Sequence, residues 1–185
     1  MRRLFAFALL PLAGVPLCAQ SGANPLTAGE KTVYTMTRSN VLKAAQEMPE
    51  ELYSFKPTAD VRTFGQLVGH VAEAQYEFCG PVMGDKAKPP DIEKSTTGKA
   101  ALIEALNTAY AYCDKAYAAM TDDAGKEIIK FFGYNTPKLT LLSFNTAHTD
   151  EHYGNIVTYM RLKNLTPPSS KQQPTAPKPD ATPGK

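Results

Sequence analysis

Apolar side chains recur every three or four positions along four stretches of this chain, the spacing of helices that bury one face. The first stretch runs from Asn24-Pro25, a helix cap followed by proline in the first turn, to just before Pro49. The second opens at Thr63-Phe64-Gly65-Gln66, a capping box with Thr63 as cap and Gln66 three residues on. Its stripe is Phe64, Leu67, Val68, Val71 and Phe78, and Pro81 is expected to stop it. The third begins near residues 95–97 and carries Leu102, Leu106, Ala109, Tyr110, Cys113, Tyr117 and Met120. The fourth starts at Asn135-Thr136-Pro137, with Thr136 as cap, and continues to about Lys163. One short β-like run, Glu127 to Phe132, lies in the connection before it. Four helices of this length in one small domain predict an all-α four-helix bundle.

The two ends read differently. Residues 1–19 carry Arg2 and Arg3, then an apolar stretch, then small residues around Ala19, which is the layout of a cleavable signal peptide. The apolar stretch is too short for a membrane span. A lipoprotein reading would modify Cys18, but Leu17 before it is bulkier than the small residue usual there, so cleavage after Ala19 is expected. An exported protein, periplasmic or secreted, follows. The bundle domain occupies residues 20–165, and the Pro-, Ser- and Lys-rich residues 166–185 are expected to form a disordered tail. Without Arg2 and Arg3 the basic residues equal the 18 acidic ones, so nucleic-acid binding has no electrostatic support.

The chain has three histidines. At ~100° per residue, His148 and His152 fall ~40° apart on the last helix. They share a seam with Leu141, Asn145, Ile156 and Tyr159. His70 stands at the border of the second helix's apolar stripe. A pair one turn apart plus a third imidazole from a neighbouring helix can close on one metal ion and leave a fourth position open, the pattern of a catalytic zinc site. The other reading is three unrelated, hydrogen-bonded histidines, and periodicity does not decide whether His70 faces the pair.

The stretch from Ser54 to Cys79 resembles the second-helix region of the DinB/YfiT-like family, in which a Pro-containing turn leads into a helix with one metal-binding histidine. The stretch from Phe144 to Pro168 is similar to that family's last helix: a histidine pair one turn apart, a Tyr-Met-Arg-Leu segment, then a double proline. The resemblance implies an up-down-down-up bundle and a divalent metal held by His70, His148 and His152. Zinc and nickel lead among the metals, with iron and manganese also suited to three imidazoles and water. It also implies pairing into a homodimer through a helix face, and metal-dependent transfer or isomerisation with low-molecular-weight thiols.

His148 to His152 also formally reads H-x-x-E-H, an inverted zinc-peptidase signature in which the glutamate is a general base. That signature needs another ligand well downstream, and only the helix end and tail follow. Glu151 lies ~60° from His148 on the helix wheel, near enough to serve as a base toward water on the metal and equally able to face solvent. Asp150, on the opposite side, is expected at the surface near Arg161. Tyr153, Tyr159 and Asn145 are expected to pack and hydrogen-bond rather than to act at a metal.

Cys79 and Cys113 each come sixteen residues after a helix start, at Thr63 and Thr97. With the second and third helices parallel, as the implied order requires, both sit at one height, where either a disulfide or two separately packed thiols would satisfy the pattern. Two functions remain open. One is a divalent-metal-dependent hydrolase or thiol-dependent transferase acting on a small molecule. The other is a non-catalytic metal-binding or stress-associated bundle that serves a partner.

Overall fold

The computed structural model describes residues 24–171. The expected leader, Cys18 and residues 172–185 lie outside it. Four long helices carry most of the buried apolar surface: α1 (Pro25–Glu47), α2 (Phe64–Met83), α4 (Lys99–Ala119) and α5 (Lys138–Leu162). A short α3 (Ile92–Ser95) follows α2, a hairpin of β1 (Ile128–Phe131) and β2 (Tyr134–Pro137) precedes α5, and a single turn, α6 (Pro168–Lys171), ends the described chain. Among the described residues no helix is long and apolar enough to cross a membrane.

Side-chain contacts set the helix directions. Glu30 meets Ser143 and Thr146, and Thr37 meets Asp150, so α1 and α5 run parallel. Gly65 lies against Leu102 and Tyr76 against Tyr112, so α2 and α4 run parallel. Across the pairs the order reverses: His70 faces His152 while Phe78 faces Phe144. The bundle is therefore up-down-down-up. The expected stripe of α2 is buried, as are Leu102 through Tyr117 of the α4 stripe and Leu141, Asn145, Ile156 and Tyr159 of the α5 seam.

The capping box of α2 forms as expected, with Thr63 Oγ1 accepting from Gln66 N at 3.1 Å and Gln66 Oε1 accepting from Thr63 N at 2.9 Å. Other boundaries differ from expectation for non-local reasons. Pro81 does not stop α2; it sits in the last turn, where it forfeits one backbone bond, and Gly84 closes the helix in the left-handed conformation at φ 78°. Asn24 flanks α1 without capping it. The carboxylate of Asp122, from beyond α4, accepts from Leu26 N (3.2 Å) and Thr27 N (2.8 Å), while Asn24 Oδ1 accepts from Asp122 N (2.9 Å). Thr136 is not the cap of α5, because its backbone pairs with Ile129 in the hairpin and the helix starts only at Lys138. Residues 167–171, which fall within the expected tail, are packed on the bundle. Pro167 and Pro168 are buried, Ser169 bonds Tyr153 and Lys171 pairs with Glu47 on α1.

Inside, Gln75 and Asn145 are fully buried and answer each other at 3.0 Å, with Thr149 and Tyr117 completing the network. Beside them Cys79 and Cys113 form a disulfide between α2 and α4, with Cα atoms 5.3 Å apart.

Candidate metal centre

The box at Thr63 fixes the start of α2, and His70 follows two turns later on the side facing α5. On α5, His148 and His152 stand one turn apart on the seam that faces α2. The three rings converge. His70 lies 5.2 Å from His148 and 4.7 Å from His152 between ring centroids, and the Nε2 atoms of the α5 pair are 3.1 Å apart. One nitrogen from each ring lies within 4.8 Å of the others. The question left open by periodicity is thus answered: His70 points at the pair.

These surroundings keep the α5 pair unprotonated. Burial, then the nearby His152 and His70 rings, push His148 down to about 4 from 6.5. Burial, then His70 and Arg62, push His152 down to about 4 as well. Both are neutral at pH 7 and offer lone pairs. A tetrahedral zinc with Zn–N bonds of ~2.0–2.1 Å holds its nitrogens about 3.3 Å apart. The Nε2 atoms of the α5 pair, 3.1 Å apart, already lie close to that spacing. Nitrogen-only donors of this kind fit a divalent transition metal.

Two residues that the sequence did not single out stand beside the cluster. His70 Nδ1 lies 3.0 Å from Glu93 Oε2 on α3, and because a carboxylate only accepts, the ring donates. Arg62 Nε donates to the other oxygen, Oε1, at 3.0 Å, and Tyr159 Oη donates to the Arg62 carbonyl at 2.7 Å. Arg62 Nη2, 3.4 Å from the same ring nitrogen, is a close neighbour rather than a partner once that nitrogen carries its proton.

Of the remaining candidates, Glu151 lies close enough for its charge to act on His148 and oppose the fall in its pKa. Glu151 is exposed, and the carboxylate hydrogen-bonded to the triad is that of Glu93. Asp150 is exposed as expected but accepts from Thr37 at 2.7 Å on α1, while Arg161 pairs with Ser170. Tyr153 anchors Ser169, and Asn145 belongs to the core network. On the hairpin side the Phe78 ring packs 5.2 Å from His148 and 5.3 Å from Phe144. Beyond it Phe131, Phe132, Tyr134 and Phe144 border an apolar groove of about 320 Å³. A wider recess of about 700 Å³ is lined in part by Glu93 and by none of the histidines.

An up-down-down-up bundle with three imidazoles converging from its second and last long helices defines a class of metal-site scaffold. The chain belongs to the DinB superfamily, whose family model matches residues 34–156. A DinB-like protein from Bacillus cereus superposes with a TM-score of 0.67 at 20% identity, over 76% of this chain and 95% of that one. A DinB-like protein from Bacillus subtilis gives 0.62 at 19% identity, over 77% and 94%. A mycothiol-dependent maleylpyruvate isomerase gives 0.60 at 16% identity, over 70% of this chain and 60% of that one. At these identities the likeness is one of fold. None of the curated proteins matches the chain.

Proposed function

We propose that this protein is an exported, divalent-metal-dependent enzyme, a hydrolase or thiol-dependent transferase, acting on a small organic molecule. The convergence of His70, His148 and His152 carries this reading. A divalent metal held there would act as a Lewis acid and lower the pKa of a bound water or thiol. The chain's own residues supply three imidazole donors from two helices and, in Phe78, an apolar wall that limits water on one side. The apolar groove beyond Phe78 and Phe144, lined like the wider recess by none of the histidines, would suit the carbon skeleton of a substrate.

Export is supported by the apolar N-terminal stretch and by the Cys79–Cys113 disulfide, which persists in oxidising compartments. There water is the better-supplied nucleophile. A fold neighbour that is mycothiol-dependent makes a small thiol the second to screen.

The test is elemental analysis of the mature protein without a histidine tag, beside His70→Ala and His148→Ala. About one metal per chain, absent from both variants, is expected. Wild type that takes up no zinc, nickel, iron or manganese sinks the reading. Turnover of ester, amide or thiol-acceptor libraries by the loaded protein then separates an enzyme from a binding module.

A further inference from the structure

A neutral imidazole carries one N–H, and its position decides which nitrogen can take a metal. The three rings differ in what sets that choice. The outer Nδ1 of His148 is buried without a partner among the described residues. That of His152 has only the Asn155 amide at 3.5 Å. Among the described residues His70 alone has a charged acceptor, Glu93 Oε2 at 3.0 Å, which draws the proton to Nδ1 and leaves the Nε2 lone pair free.

Glu93 is itself held firmly. Arg62 Nε occupies its second oxygen at 3.0 Å, and its backbone N–H donates to Glu73 Oε2 at 3.1 Å. Its Cα packs against α2 at Gly69, so closely that a Cβ there would come within 2.9 Å. Arg62 is tied to α5 through Tyr159 Oη at 2.7 Å. The helix that supplies two histidines therefore also braces, through Tyr159 and Arg62, the carboxylate that orients the third. Only 20% of the Glu93 side chain is exposed, which shields this contact from water.

We propose that Glu93 is the positioning residue of the metal centre: it fixes the tautomer and ring plane of His70 so that Nε2 completes a three-nitrogen site with His148 and His152. This rests on the metal-centre reading above. Partners of this kind on a ligating histidine change metal affinity by ~10–100-fold.

The experiment uses the metal-free mature chain as wild type, Glu93→Gln, Glu93→Asp and His148→Ala. Zinc affinity is measured by chelator competition, cobalt binding by its visible absorption, and the His70 tautomer by ring nitrogen-15 shifts. Glu93→Gln is expected to weaken zinc ~10–100-fold and to move the His70 proton toward Nε2, with the melting temperature of the metal-free protein little changed. Glu93→Asp is expected to recover part of the affinity. Equal affinity in wild type and Glu93→Gln overturns the proposal and leaves the metal centre standing. So does a loss of affinity with the Nδ1 proton still in place, which marks Glu93 as merely structural. A wild type that binds neither ion removes both readings together.

Discussion

His148 and His152 sit where a second proton on either ring is unwelcome, and stability should follow. Above pH 6.5 both rings are neutral whether the chain is folded or not. Between 6.5 and about 4 the unfolded chain takes protons that the folded one refuses, so acid favours unfolding across that window. The urea midpoint of the metal-free protein should fall from pH 7 to pH 5, and less in His148→Ala; a flat profile contradicts the burial. Gly69 offers a second test. A Cβ there would meet Glu93 Cα at 2.9 Å, whereas one at Gly29 meets nothing within 4 Å. Gly69→Ala should cost about 1–3 kcal/mol and loosen α3, while Gly29→Ala should gain up to ~1 kcal/mol. The histidine set was legible in the sequence because the residue is scarce and the α5 pair has helical spacing. Glu93 was not, because α3 lies in a Pro-rich connection without periodicity. The one signal there was Ile92, the single large apolar side chain between Met83 and Leu102, whose burial fixes its neighbour.

Helix ends divide by whether their caps are local. The Thr63 box lies within four residues and is readable directly; Thr63→Ala should cost ~1 kcal/mol in denaturant unfolding. At the start of α1 the acceptor is Asp122, ninety-five residues from Thr27, and no local pattern announces it. Asp122→Ala should lower the melting temperature, and no change would mean water caps α1 equally well. The hairpin was legible only as a β-like run. Its two-residue loop places both Phe132 (φ 46°) and Gly133 (φ 84°) at positive φ, and the usual Asn or Asp at the first position is missing. With that signal absent, Thr136-Pro137 reads as a helix start although it belongs to β2.

For the whole molecule, the parallel pairing of α2 with α4 brings Cys79 and Cys113 level, so their joining follows from helix order. Reducing the disulfide should lower stability by ~2–4 kcal/mol while zinc stoichiometry is kept, since the polar neighbour of both sulfurs is the Asn145 amide of the core network. Zinc at a hundred times its dissociation constant should add ~2.7 kcal/mol. That corresponds to a melting temperature roughly 5–10 °C higher for a chain of this size, and His148→Ala should show no such rise.

The same helix order also fixes a sequence of assembly. A chain delivered from its N-terminus presents both cysteines once residue 113 has emerged, before α4 is complete and before α5 has appeared. The last imidazole, at position 152, arrives some forty residues later. Sulfur oxidation can therefore lock the α2–α4 half before α5 docks, so that any ion held by the three imidazoles would be a late guest on a half already clamped.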